Sequence, residues 1–406
     1  MTSAALTPVG RGFKAPGTSF MIAGGLIGAL GAYGFQLVGG RALGTAAFAP
    51  VSVLWTAFFI LATVLLVPVE QYVTREVASG RKALPGDLRP TLVMTAIGAV
   101  VGGGFVAITL DDLFRGDPQY IAQIVLLMGG YALLFVGKGV LAGSRRFATV
   151  GWVLIVETVV RLAAGIAAVL AIGSAVSLGW AMVLGGFSVL VLRWWRFDGG
   201  DAERPHTSAA RFLSGYAGGT SSSQVLLAAA PLAVAALGGS AALISVTFFT
   251  FTIFRAPLTL IFALQGRILP FLVGLAGAAR KSELSRIARW VLLGGVLLAG
   301  VGAVVGWLIG PEVMTLLLGE EFAPTSVVAM FAAGGVMAAA AAQITSQVLV
   351  AEGRTTRLAW AWFVGLVVAV VVLWIAPGEP DTRVALAFAC GEMTALILMA
   401  VLAVRS

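Results

Sequence analysis

The fold that this chain predicts is an all-α polytopic membrane protein, with twelve transmembrane helices in two six-helix lobes. Three observations lead there. Twelve long apolar stretches fill the sequence, positive charge gathers in every second gap between them, and the first six stretches are echoed by the second six. Of the 406 residues, 59% are hydrophobic and 11% charged, against about 25% charged in a soluble domain. A span needs about 20 apolar residues. Twelve of them occupy more than half the chain and leave no room for a separate soluble domain.

In order, the spans read 18–38, 49–69, 91–109, 120–143, 149–171, 175–192, 213–237, 241–264, 291–309, 327–349, 359–376 and 384–404. The first follows Arg11 and Lys14 as a signal peptide would, but it is too long for a signal core and has a partner in the repeat. With the N-terminus in the cytoplasm, nineteen of the 26 Lys and Arg residues fall in cytoplasmic segments, and the outer loops hold only Arg41, Arg115 and Arg383. That bias sets the orientation by the positive-inside rule, with both termini cytoplasmic. The outer loops lean acidic, with Asp111, Asp112, Asp117, Glu312, Glu320, Glu321, Glu379 and Asp381. The net charge of +8 is scattered over many short loops, which argues against nucleic acid as a partner. One cysteine (Cys390) and one histidine (His206) exclude a disulfide framework and a His/Cys metal cluster.

The repeat is legible at two places. Shifted by 194 residues without gaps, Leu43-Gly44 meets Leu237-Gly238, Thr56 meets Thr250, Ala62 meets Ala256 and Gln71 meets Gln265. At the ends of spans four and ten, the run Val140 to Arg146 resembles the run Val348 to Arg354. Six spans return the chain to the same side, so the halves start in the same orientation. They are related by a pseudo-two-fold along the membrane normal. The expected division is an N-terminal lobe 1–192, a cytoplasmic linker 193–212 and a C-terminal lobe 213–406.

Three motifs carry a resemblance. Gly40-Arg-Ala-Leu-Gly-Thr-Ala-Ala-Phe48 in the first outer loop resembles the Arg-x-Leu-Gly-x-x-x-Phe turn of polysaccharide flippases. The run from Gly139 to Phe147 is similar to their cytoplasmic loop after span four, and Leu316-Leu-Leu-Gly-Glu-Glu-Phe322 to their outer segment after span nine. These are the O-antigen-type flippases of the multidrug/oligosaccharidyl-lipid/polysaccharide exporter superfamily, whose fold is MATE-like. The resemblance implies a bacterial cytoplasmic-membrane transporter that flips a polyprenyl-(pyro)phosphate-linked oligosaccharide by alternating access, for cell-surface polysaccharide export. It further implies contact with membrane lipids, a proton or sodium ion as the coupling partner, and a polysaccharide polymerase or glycosyltransferase nearby. No cofactor is implied.

Charges inside spans are the candidate functional groups, because each costs about 2.5–3.5 kcal/mol on insertion scales. Arg255 lies within span eight, with Thr252 three before and Thr259 four after it on one helical face. Such a stripe suits a cavity wall, and a guanidinium there can fork onto a phosphate. The alternative is an Arg that only fixes helix packing. Glu157 and Arg161 sit four apart on span five, either as an internal ion pair or with Arg161 on the same cavity and Glu157 titrating. Glu392 stands alone inside span twelve, as an ion-coupling carboxylate or a neutral hydrogen-bonded acid. Lys138 is close enough to the inner end of span four to snorkel. Gln224, after Thr220-Ser-Ser-Ser, and Gln36 add polar groups to spans seven and one. Pro68, Pro231, Pro257 and Pro270 fall in or beside spans two, seven and eight, where they free carbonyls and kink helices.

No metalloprotease, nucleophile-elbow, phosphate-loop or dinucleotide signature stands in a workable context, so an enzyme is not expected. A multidrug antiporter of the same superfamily is the nearest rival. It would carry an acid in span one, where this chain has Gln36. A major-facilitator transporter would carry a basic signature after span two that the loop from Glu70 to Arg89 lacks. A transport-inactive scaffold for envelope polysaccharide synthesis is the rival of another class.

Overall fold

The computed structural model describes residues 17–78, 89–192, 221–258, 272, 275 and 281–404. The linker 193–212 with His206, and Thr259, Gln265, Arg267 and Pro270, lie outside the described residues. The helices are α1 (Thr18–Leu61), α2 (Val67–Ala78), α3 (Arg89–Ile108), α4 (Leu110–Phe114), α5 (Gln119–Gly143), α6 (Phe147–Ala171) and α7 (Ala175–Phe187) in the first half. The second half has α8 (221–228), α9 (Ala230–Ala236), α10 (Ala241–Phe254), α11 (Lys281–Leu318), α12 (Ser326–Ala351), α13 (Thr355–Ile375) and α14 (Pro380–Val404). Among the described residues, nine helical stretches are long and apolar enough to cross a membrane. The first, Thr18–Ala78, is 61 residues long and doubles back. Together with the shorter Ala175–Val191 and the broken pair α8–α9, these supply the twelve spans. The chain is a multi-pass membrane protein. Most span ends among the described residues fall within a few residues of those the apolar runs mark, but the second span's helix runs on to Ala78 rather than 69 and α11 extends well beyond 291–309 at both ends. The ends expected at 213 and 264 lie outside the described residues.

The doubling back follows from one residue. Gly44 has φ 76° and ψ 170°, outside any helical region. The rings of Phe35 and Trp55 stack with centroids 5.9 Å apart, although twenty residues of straight helix would separate them by about 30 Å. α1 is therefore a hairpin, with arms 18–43 and 45–61 that turn at a left-handed glycine. In the second half, α9 and α10 turn at Gly238, also with φ +76°, and Ser240 caps α10 by accepting the Leu243 N–H at 3.2 Å.

The second echo is also matched at the backbone. After α5, the N–H groups of Ser144, Arg145 and Arg146 donate to the carbonyls of Val140, Ala142 and Leu141 at 3.0, 3.0 and 2.8 Å. After α12, those of Glu352, Gly353 and Arg354 donate to Val348, Val350 and Leu349 at 3.1, 3.0 and 2.8 Å. Both are helix ends closed by a residue with positive φ, Arg145 in one half and Gly353 in the other. The halves share turn geometry as well as span count, and the fold is two six-helix lobes related by a parallel pseudo-two-fold.

Within the first half, α1 lies along α6, α2 and α3 pack on α5, and α5 and α6 cover α7. Within the second, α11 packs on α12, while α12 and α13 pack on α14. The halves meet where α1 touches α9, α10 and α11. Glycine sets the closest approaches, as expected where helices associate in lipid by van der Waals contact. A Cβ added to Gly24 would lie 2.6 Å from the Gly151 carbonyl oxygen, which fixes how near α1 and α6 run.

Three prolines coincide with interruptions of the helices that line the interface. Pro68 follows the π-helical turn Ala62–Leu66, in which the Val67 N–H reaches back to the Ala62 carbonyl. Pro231 follows a break at Ala229. Pro257 follows the end of α10 at Phe254. In each case proline offers no N–H to the carbonyl four residues back, and its ring crowds that carbonyl.

Candidate functional site

Four helical faces converge between the halves. Ala29, Ala32, Tyr33 and Gln36 form one face of the first arm of α1, and Trp55, Thr56 and Phe59 one face of its second arm. Gln224, Leu227 and Ala228 come from α8, and Phe248 and Thr252 from α10, with Arg255 and Leu258 just beyond it. The spacings of three, four and seven are those of single helix faces. They enclose a cavity of about 280 Å³.

Arg255 is the one charged residue among the described residues of this wall. It sits at a one-residue interruption: α10 ends at Phe254, Arg255 occupies the cap position, and helix resumes at 256–258. Its Nε donates to the Phe251 carbonyl at 3.0 Å. Its Nη1 donates to the Leu227 carbonyl of α8. That carbonyl is free because its usual helical partner, four residues on, is Pro231. The guanidinium has five N–H donors. Two are used, and three remain for the cavity. No carboxylate pairs with it among the described residues. Gln36, only 4% exposed, lines the same wall with an Oε1 that has no partner among the described residues.

Behind Trp55 lies a second polar group. Arg161 Cζ stands 5.3 Å from the centre of the Trp55 ring. Its Nη1 pairs with Glu157 Oε1 and donates to the Tyr131 hydroxyl at 2.9 Å. Tyr131 in turn donates to Glu157 Oε1 at 2.6 Å, and Thr158 Oγ1 donates to Glu157 Oε2 at 3.2 Å. Glu157 and Arg161 are 7% and 6% exposed. Phe35 on one side and Arg161 on another hold the indole in place, so the cavity wall is rigid there.

The end of the cavity nearest Gly44 is shut by contacts between halves. Arg41 Nη2 donates to the Leu316 carbonyl at 2.8 Å, and Thr45 Oγ1 to Glu321 Oε2 at 3.4 Å. Beneath them Phe48 packs on Phe248 and Phe249 at 6.1 and 5.0 Å, and Phe249 on Phe322 at 5.2 Å. Phe248 is both part of this plug and part of the cavity wall.

Solved structures share this architecture over nearly the whole chain. An inward-facing multidrug resistance MATE family transporter of the MOP superfamily aligns with a TM-score of 0.69 at 14% identity, covering 92% of this chain and 93% of that one. The fold is that of the MATE transporters. A point mutant of the Vibrio cholerae MATE transporter VcmN gives 0.62 at 17% identity over 96% of each chain. A MATE protein in complex with MaD3S gives 0.63 at 14% identity over 98% of each. Among curated proteins, uncharacterized proteins of Mycobacterium tuberculosis and Mycobacterium bovis are 26% identical over 400 residues, 91% of this chain and 87% of theirs. No family model matches the sequence.

Within the MATE fold, the structure gathers Arg255, Thr252 and Gln224 on one wall. Of the expected stripe from Thr252 to Thr259, Thr252 and Arg255 share the wall across a one-residue interruption of the helix, and Thr259 lies outside the described residues. Arg161 is not on this wall: the Trp55 ring stands between it and the cavity, and Glu157 and Tyr131 hold it. Glu392 is 0% exposed, away from the wall, and neither carboxyl oxygen has a partner among the described residues. Lys138 does not reach for solvent alone, since its Nζ pairs with Glu70 at 2.8 Å. Sequence reasoning passed over Tyr33, Trp55, Phe59 and Phe248. The 194-residue shift offered one unused signal. It aligns Arg255 with Leu61, so the repeated scaffold does not itself require the charge.

Proposed function

We propose that the chain is a transporter that moves a lipid-linked, phosphate-bearing saccharide across a bacterial cytoplasmic membrane by alternating access between its lobes. One observation carries this reading. The cavity between the halves is walled by apolar and neutral polar groups and, among its described residues, a single cation with three unused N–H donors. An anion entering a low-dielectric region meets a fixed opposite charge, and the sugar meets Gln36, Gln224, Thr56 and Thr252. The units that rock are lobes 1–192 and 213–406, which 193–212 joins in the sequence. Glu392, a carboxyl without a partner among the described residues of the second half, takes the coupling role, with a proton or sodium ion. The Glu157–Arg161 pair stiffens the first. A polysaccharide polymerase or glycosyltransferase is the natural partner for such cargo.

A second reading keeps the same motion with a different cargo. Tyr33, Trp55, Phe59 and Phe248 make the cavity aromatic, which suits amphipathic drugs, and the structural relatives include a multidrug resistance MATE family transporter. Purified protein in liposomes separates the two readings. Translocation of a fluorescent polyprenyl-phosphate saccharide, without efflux of cationic dyes, is the expected result, and the reverse pattern sinks the proposal.

Orientation has its own test. The Gly44 end is proposed to face outside, on the strength of the basic residues gathered at the other end. In a Cys390→Ala background, a cysteine at exposed Asp112 reacts with a membrane-impermeant maleimide applied to intact cells. Labelling only after lysis reverses the orientation.

A further inference from the structure

The charge, donors and volume of the cavity narrow the head group, and this step rests on the lipid-linked saccharide reading above. We infer that the cavity takes a single phosphodiester bearing a short sugar, a polyprenyl monophosphate saccharide, in preference to a diphosphate-linked chain of sugars.

Charge comes first. A phosphodiester carries one negative charge and a diphosphate diester two. Among the described wall residues the only formal charge is that of Arg255. A monophosphate is therefore neutralised. A diphosphate keeps one uncompensated charge where charge is costly.

Donor geometry agrees. Arg255 Nε is committed to Phe251 and one Nη1–H to Leu227. The other Nη1–H and the two on Nη2 remain. With Nη2 wholly unused, the guanidinium can still donate to the unesterified oxygens of one phosphate. A second phosphate has no further guanidinium among the described wall residues.

Volume gives the third constraint. Sites for drug-sized ligands span about 300–1,000 Å³. At about 280 Å³ between the described residues this cavity falls at the small end, the scale of a phosphate with one sugar ring more than of a phosphate with several. A single ring fits the rest of the wall. Trp55, held in place by Phe35 and Arg161, is a fixed part of that wall. The buried, unpartnered Gln36 Oε1 offers an acceptor for a sugar hydroxyl.

The test uses the full-length purified protein and two soluble probes, methyl geranyl phosphate and methyl geranyl diphosphate. Both carry the same tail and no sugar, so sugar identity cannot confuse the result. Quenching of tryptophan fluorescence or calorimetry gives Kd. The monophosphate is expected to bind at least tenfold tighter than the diphosphate, and Arg255→Ala to remove that binding. Gln224→Lys, which adds a second cation to the wall, is expected to shift the preference by tenfold or more towards the diphosphate. Equal or tighter diphosphate binding to the wild type overturns this inference and leaves the lipid-linked saccharide reading intact. Binding of neither probe, by protein with an unchanged melting temperature, overturns that broader reading.

Discussion

Arg255→Ala is expected to abolish translocation while the protein still inserts and folds. The guanidinium has two jobs in the structure, and the choice of variants separates them. It caps the carbonyls of Phe251 and Leu227, and it is the one charge among the described residues of the cavity wall. Loss of capping leaves the Leu227 carbonyl short of a donor, at about 1–3 kcal/mol if it stays buried, while the Phe251 carbonyl keeps the backbone N–H of residue 255 at 3.1 Å. Because the Leu227 carbonyl borders a cavity, water can replace part of that loss. Loss of charge removes the counter-ion of the cargo. Arg255→Gln keeps an N–H donor without the charge, and Arg255→Lys keeps the charge without the fork. If cargo binding is the main role, Lys retains part of the activity and Gln retains none. If packing is the main role, Gln transports and Lys has no advantage over it. Initial flipping rates in liposomes, at matched protein and with melting temperature checked, decide between them. Normal transport by Arg255→Ala would remove the anion site altogether.

How much was legible in the sequence divides along physical lines. Spans and lobes were readable because a bilayer demands about 20 apolar residues at a time, and that demand is written locally. The turns at Gly44 and Gly238 were readable because a left-handed residue is almost always glycine, and the same glycine recurs after 194 residues. Arg255 announced itself by the cost of its charge. Its real setting did not. That Leu227 accepts its Nη1 depends on Pro231, twenty-four residues earlier in the chain and on another helix, having no N–H to give. Trp55 and Phe59 were hidden for the opposite reason. An aromatic residue in a membrane span looks alike whether it faces lipid, a neighbouring helix or a cavity. The placement of Arg161 was open for the same cause. Its spacing from Glu157 allowed an ion pair or a cavity wall, and only the packing of α1 against α6 puts the Trp55 ring in between.

Gly40→Val is expected to hold the lobes apart at the Gly44 end and slow transport by roughly five- to 150-fold. Two of the sequence motifs meet at that end although they lie 275 residues apart, since Arg41 reaches the Leu316 carbonyl. Gly40 sits inside this contact. A Cβ there would come within 2.5 Å of Phe249 Cζ and 3.2 Å of Leu318 Cδ2, both from the other half. A ring tip can often swing aside, but Phe249 is 1% exposed and boxed in by Phe48, Phe248 and Phe322. Relief must come from separating the halves. Overpacking costs about 1–3 kcal/mol, and a bias of that size on a two-state equilibrium is a factor of about 5–150. The shut state loses population, and a cycle that must pass through it slows. A cysteine at Gln224 in a Cys390→Ala background reports the same shift, because it becomes more reactive towards an impermeant reagent from the Gly44 side. Gly104→Val is the control, with open space where its Cβ would go. If Gly40→Val transports like the control and the Gln224 cysteine reacts no faster, the contact between Arg41, Phe249 and Glu321 is ordinary packing and not a closure.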